Sequence, residues 1–227
     1  MKTINQIMLA AFFVSSLAAS SLMAWESYPD QTDDGLDRID SKEADAVYWK
    51  EGATLADYNR VRIDNVEVSF RQNWLRDQNR SHRTLSGRIS SGDMDDIREA
   101  LAELFLEVFT EELEEGGYVV VNENGDDVLL LQPSIVDLDV AAPDVSMSQP
   151  GRSRNYVTSA GEMTLNMDFR DSATNALIGR AIDRREDRST GQITYSSRVT
   201  NTTEAKRMLR GWAKSLVKAL DNAHESG

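Results

Sequence analysis

Cysteine is absent from the 227 residues of this chain. That removes disulfide staples, thiolate metal ligands, thiol nucleophiles and the acylated cysteine on which a lipoprotein anchor is built. Histidine is nearly absent as well. His82 and His224 are the only two, and the second sits close to the chain end, where chains fray. Neither a histidine-based zinc site nor a Ser-His-Asp triad is expected from that supply. Positive charge is scarce: 25 Lys and Arg face 38 Asp and Glu, for a net charge of -13 at pH 7. Long-range repulsion makes nucleic acid and anionic membrane surfaces poor partners. The run of ~20 apolar residues that a membrane span requires is also missing; the stretch Ile7–Val14 stops at Ser15 and Ser16. Glycine-rich phosphate loops, metal-ligand spacings and a nucleophile with a matched base are not found either. No cofactor and no metal are expected, no catalytic residue is nominated, and the chain does not read as an enzyme.

What is present begins with the order of segments at the N-terminus. Lys2 supplies a weak positive start, Ile7–Val14 an apolar stretch, and Ser15 to Ala24 a segment rich in small residues. Secretion machinery reads that order and a signal peptidase cuts behind it, so residues 1–24 are expected to be a signal peptide with cleavage after Ala24. The mature protein is then periplasmic or secreted and keeps no membrane anchor. Residues 25–45 read as a flexible acidic lead-in, turn-rich around Pro29 and Gly35 and without apolar periodicity. Its Asp30, Asp33, Asp34 and Asp37 lack both the spacing of a calcium loop and its closing glutamate. Residues 46–224 read as a single α+β domain, long enough to bury a core.

Within that domain the pattern alternates between the periods of strand and helix. From Arg60 to Phe70, Val61 and Ile63 share one face, whereas Val66, Val68 and Phe70 fall one step out of phase. The slip predicts a bent strand with one extra residue near Asp64 and Asn65. Ile97, Leu101, Leu104, Phe105, Val108 and Leu113 recur at helical spacing behind Asp93, the expected cap, and Gly116 and Gly117 end the helix. Tyr118–Val121 and Val128–Leu131, joined through Asn124 and Gly125, predict a hairpin. The second run continues past Pro133, which cannot donate a ladder hydrogen bond and so argues for an edge or a kink.

Met163, Leu165, Met167 and Phe169 alternate with Glu162, Thr164, Asn166 and Asp168, the pattern of a strand with one wet face. A turn over Asp171–Asn175 returns the chain antiparallel through Leu177 and Ile178. The last element is a helix capped by Asn201. Met208, Leu209, Trp212, Ala213, Leu216 and Leu220 form its apolar stripe, and Lys206, Arg207, Arg210, Lys214 and Lys218 its outer side. The whole predicts an α+β fold: a mainly antiparallel sheet of about five strands with two long amphipathic helices packed on one face.

Two charged clusters are candidate interaction surfaces. Between residues 71 and 88, Arg71, Arg76, Arg80 and Arg83 surround a single acid, Asp77, with Trp74 and His82 among them. Such a basic stretch in an acidic protein can dock an acidic partner or a phosphorylated glycan, or it can be a solvated loop paired with the protein's own carboxylates. Asp183, Arg184 and Arg185 make the second cluster and admit the same two readings.

Three phrases give the chain a wider context: Gly52-Ala53-Thr54-Leu55-Ala56-Asp57-Tyr58, Val61-Arg62-Ile63-Asp64-Asn65-Val66-Glu67-Val68 and Ala181-Ile182-Asp183-Arg184-Arg185. In this order, between the predicted elements, they resemble domain-of-unknown-function family 3313, an uncharacterised bacterial family, and the likeness spans Tyr48 to Ala223. The resemblance implies an exported envelope protein, often lipid-anchored, of undetermined activity. Lacking a cysteine behind the leader, this chain departs from the anchored form. The expected function is a non-catalytic cell-envelope module that binds another protein of the envelope. Two alternatives stay open: a carboxylate-based hydrolase of envelope glycans, and a carrier of a small apolar ligand, with Met163, Met167 and Phe169 lining a cavity between sheet and helices.

Overall fold

The structure is a computed structural model and describes residues 28–80, 88–140, 156–157, 161–186, 194–195 and 198–226. The segment read as a signal peptide lies outside them, as do His82 and Arg83. The elements follow in the order β1 (Asp37–Ile39), β2 (Ala46–Trp49), β3 (Arg60–Ile63), β4 (Glu67–Phe70), α1 (Trp74–Arg80), α2 (Ser91–Glu115), β5 (Val119–Val120), β6 (Val128–Val140), β7 (Tyr156–Val157), β8 (Gly161–Asp171), β9 (Leu177–Glu186), β10 (Thr194–Tyr195) and α3 (Arg198–Ser226). Among the described residues no helix is long and apolar enough to cross a membrane.

The α+β class is what the sequence predicts, but the sheet is larger and differently paired. Eight strands form it in the order β1-β2-β9-β8-β6-β3-β5, with β4 paired to β6 beside β3. Pairings from β1 through β2, β9 and β8 to β6 are antiparallel, whereas β3 and β4 run parallel to β6 and β5 runs parallel to β3. The sheet is therefore mixed, not a mainly antiparallel one of five strands. Helix α2 supplies the crossover that a parallel β4/β6 pair requires.

The phase slip at Asp64 and Asn65 appears as a break. From Ile63 opposite Leu131 to Glu67 opposite Ser134, the β3–β4 side advances one residue more than β6. Pro133 falls opposite this gap, so its missing N–H interrupts neither β3 nor β4, and β6 remains a central strand. Farther along β6, Asp137 takes a positive φ of 53° where the register shifts against both β4 and β8. The surplus residue turns Ile135 and Leu138 to the same buried face.

The hairpin expected through Asn124 and Gly125 is not formed, because β3 lies between β5 and β6. Arg60 of β3 holds that connection instead, donating to Asp127 at 2.6 Å and to Glu123 at 3.0 Å. The predicted β8/β9 return is present. Thr174 donates its backbone N–H and its hydroxyl to the Asp171 carboxylate at 2.7 and 2.6 Å.

Residues 28–45, expected as a flexible lead-in, carry β1 and a small second core. Leu36 is buried there with Ala46 and Tyr48, on the sheet face away from the helices. A single leucine in an acidic run produces no periodicity to read. The main core lies on the other face, where Phe105, Phe109 and Leu113 of α2 and Leu209, Trp212 and Leu216 of α3 pack on Leu131, Ile135, Leu165 and Met167. Both long helices thus share one side of the sheet. Helix α2 starts a little earlier than Asp93 suggests: Ser90 is its cap, and Asp93 closes the capping box from the third position.

Candidate functional site

The first charged cluster folds into a bracket. Its segment is not a loop throughout, since Trp74–Arg80 forms the short helix α1. Arg71 donates to Asp139 of β6 at 2.5 Å and to Asp77 at 2.9 Å. Those bonds hold the Asp77 carboxyl below its ordinary range and push the Arg71 guanidinium up. Trp74, nominated as an interaction residue, is buried; its indole N–H donates to the Val140 carbonyl at 2.9 Å, and its ring meets Phe70 with centroids 4.3 Å apart. Arg76 and Arg80 remain on the exposed side of α1, while Arg83 lies outside the described residues.

In the second cluster, alternation along β9 sends Asp183 and Arg185 towards α3 and Arg184 to the opposite face. Asp183 accepts from the Trp212 indole N–H at 2.7 Å and from Arg185 at 2.9 Å. Arg185 also donates to the Met208 carbonyl at 3.1 Å and stacks over the Trp212 ring. Gly211 makes room for it, since a Cβ at that position would sit 1.9 Å from the Arg185 guanidinium. Asp183 and Arg185 therefore clamp α3 to the sheet. Arg184 instead makes a two-bond pair with Glu162 of β8, at 2.7 and 2.6 Å, and its side chain is 57% exposed.

Arg184 belongs to a surface that sequence reasoning saw only as one wet strand. Across β6, β8 and β9, Gln132, Ser134, Thr164, Asn166, Asp168, Arg180 and Arg184 share the face that carries no helix. Arg180 is its central cation: it donates to Asp168 at 2.5 Å and to Asp34 of the N-terminal segment at 2.9 Å, and these bonds raise its pKa. Gln132 donates to Asp64 at 3.2 Å and holds that carboxyl down. The signal available in the sequence was the polar side of β8; its partners on β6 and β9 depend on pairing that no local pattern announces.

The charged outer side of α3, open in the sequence to either a partner or a structural role, is met by α2. Lys206 binds Glu107 at 2.9 Å, and Arg210 binds Glu112 at 2.5 Å and Glu111 at 3.3 Å. Among the described residues no group of three or more His, Cys, Asp or Glu is placed to hold a metal ion.

These carboxylates give the fold a defined pH response. Asp64, Asp77, Asp93, Asp127 and Asp171 are all held below their ordinary value, chiefly by hydrogen bonds from Gln132, Arg71, Ser90, Arg60 and Thr174 respectively. The unfolded chain then binds more protons than the folded one at acid pH. The stabilisation is complete above about pH 4, the unfolded carboxylate value, and is lost as the pH falls below it. At the alkaline end burial and the Asp171 charge push Tyr58 up to about 12 from 10.0, so stability declines as the pH rises from the lower of these values to the higher. Thermal melts across pH are expected to show both limbs, and Tyr58→Phe should flatten the alkaline one. An alkaline limb of equal slope in that variant would remove Tyr58 from the account.

Among the described residues, fold and surface define an α+β domain with one sheet face covered by helices and one that carries no helix and is partly covered by the N-terminal segment. The chain belongs to the family described as protein of unknown function (DUF3313), whose model matches residues 31–216. Among solved structures it is similar to the PelC dodecamer from Paraburkholderia phytofirmans, at 11% identity and a TM-score of 0.39 over 75% of this chain and 95% of that one. A variant of PelC from the same organism in another crystal form matches at 12% identity and 0.36, with 75% and 95% covered. A neuraminyllactose-binding hemagglutinin homolog from Helicobacter pylori matches at 12% identity and a TM-score of 0.33, with 78% and 92% covered. Likenesses this distant carry no argument about what this chain does. No curated protein matches it.

Proposed function

We propose that the chain is a non-catalytic protein of the cell envelope, periplasmic or secreted, that binds another envelope protein through the helix-free face of its sheet. The observation that carries this reading is that face itself. It runs across β6, β8 and β9, it bears both signs of charge, and α2 and α3 both pack on the other side. Polar surfaces of mixed charge suit a partner held by a non-obligate interface, where charge pattern sets orientation and discrimination. The order of segments in residues 1–24 supports export, and the net charge of -13 speaks against nucleic acid as the partner. Glycan hydrolysis draws no support from titration: the carboxyls that the fold moves go down, whereas a general acid has to be raised.

Arg184 gives the test, because it is an exposed cation of the face and has an internal partner. Arg184→Glu is expected to weaken partner capture at least about tenfold, or 1.4 kcal/mol. The exchange Arg184→Glu with Glu162→Arg rebuilds the ion pair in reverse and is expected to keep the thermal midpoint while still losing the partner. Cross-linking in the intact envelope, quantified for the adduct, reads both. A wild-type chain that stays solitary, or an exchange variant that captures its partner normally, overturns the proposal.

A further inference from the structure

The helices leave part of the sheet's inner face uncovered. Beside α3, over β2 and β9, a cleft of about 450 Å³ opens between that helix, the sheet and the connection from β1 to β2. This is within the ~300–1,000 Å³ typical of small-molecule sites. Trp49, Met167 and Phe169 line the sheet side, and Trp212, Leu216 and Ala219 line the helix side.

The two indoles are fixed with their polar edges already used. Trp49 donates its N–H to the Ala53 carbonyl at 2.9 Å, and Trp212 donates its own to Asp183 at 2.7 Å. Trp49, half-buried, offers the cleft ring surface that asks for no hydrogen-bond acceptor, while Trp212 is buried behind the helix wall. Trp49 can lie against β9 because residue 179 is glycine; a Cβ there would come within 2.1 Å of the ring. Aromatic and thioether surfaces of this kind favour an apolar occupant.

The mouth restricts what enters. Lys218 of α3 and Glu43 of the β1–β2 connection stand on opposite walls and meet in an exposed ion pair of 2.5 Å. A volume of about 450 Å³ is too small for a partner helix, about 10–12 Å across with its side chains, but admits a slim chain. Glu43 is paired with Lys218 and Asp183 with Arg185, so Asp40 is the uncompensated charge that lines the cleft, and it disfavours an anionic head.

We propose that this cleft binds a small amphiphile through a single hydrocarbon chain, with a neutral or cationic head at the Glu43–Lys218 mouth. The site lies on the helix side of the sheet, opposite the surface assigned to a protein partner, so either assignment can fail without the other.

The test titrates the purified chain with N-phenyl-1-naphthylamine, an uncharged apolar fluorophore, and then displaces it with dodecyltrimethylammonium or dodecyl sulfate below their micelle concentrations. One saturable site per chain is expected, displaced at least about tenfold more effectively by the cation, a difference of 1.4 kcal/mol. Ala219→Phe, at an exposed helical position, fills the cleft and is expected to weaken dye binding at least tenfold with the thermal midpoint unchanged. Ala223→Phe on the same wall carries the experiment should the first variant not fold. Absence of saturable binding, wild-type affinity in the filled variants, or preference for dodecyl sulfate overturns the proposal.

Discussion

Trp74→Ala is expected to cost about 3–5 kcal/mol of unfolding free energy, the range for truncating a fully buried aromatic side chain. The indole is 1% exposed, wedged between Phe70 and β6 at the start of α1. Its removal leaves a cavity that a helix of seven residues is poorly able to collapse, and it strips the Val140 carbonyl of its 2.9 Å donor. Trp74→Phe keeps much of the volume and loses mainly that hydrogen bond, so about 1–2 kcal/mol is expected. Urea unfolding followed by circular dichroism measures both, with an unchanged m value showing that the folded state stays compact. The comparison also decides between the two roles of the first arginine cluster. A buried bracket predicts that partner binding falls only as far as the folded fraction falls. Normal stability with lost binding in Trp74→Ala would return Trp74 to the interaction surface.

That ambiguity shows how far local pattern reaches. Strand β8 was legible because Met163, Leu165, Met167 and Phe169 alternate without a fault, and α2 and α3 because their stripes repeat over many turns. The break between β3 and β4 was half legible: the phase slip was in the sequence, but that both halves run parallel to β6 was not. Asn124 and Gly125 misled for a related reason. Such a pair permits a tight reversal wherever it falls, and nothing near it states that β3, far back in the chain, will occupy the space between the two flanking strands. Strand β1 is three residues long, all exposed, and β5 is two residues long, too short to carry a period at all.

Charge was legible as quantity and not as partnership. The excess of arginine between residues 71 and 88 is plain, and Asp77 lies within it, yet the second partner of Arg71 is Asp139, and that of Arg184 is Glu162. The Arg71–Asp139 and Arg184–Glu162 pairs exist only after sheet register is set. The same holds for the cleft. Trp212 reads as an ordinary core residue of its helix stripe, and its standing opposite Trp49 across the cleft follows from α3 leaving β2 uncovered. Met167 and Phe169, considered from the outset for a cavity, do line it, whereas Met163 lies outside and lines the groove between α2 and α3.

The pairing of the two helices leads to the second large effect. Glu112 of α2 is a carboxylate only 6% exposed, and Arg210 reaches it from α3 at 2.5 Å, with Lys214 at 3.8 Å. Removing the cation leaves the anion in the interface, and breaking such a pair from one side typically costs about 3–5 kcal/mol. Arg210 is itself 39% exposed and Lys214 stays close, so Arg210→Ala is expected near the lower end, about 2–3 kcal/mol. Substituting both members, Glu112→Met with Arg210→Met, removes the stranded charge together with its partner and should return stability to within about 1 kcal/mol of the wild type. Lys206→Met, which touches only the exposed Glu107 and Glu111, is expected to cost less than about 1 kcal/mol, and less still in high salt. The four-corner cycle in urea therefore separates a desolvated clasp from surface charge. A loss below about 0.5 kcal/mol for Arg210→Ala, or additive effects of the two Met substitutions, would mean that water reaches Glu112 and that apolar packing alone joins α2 to α3.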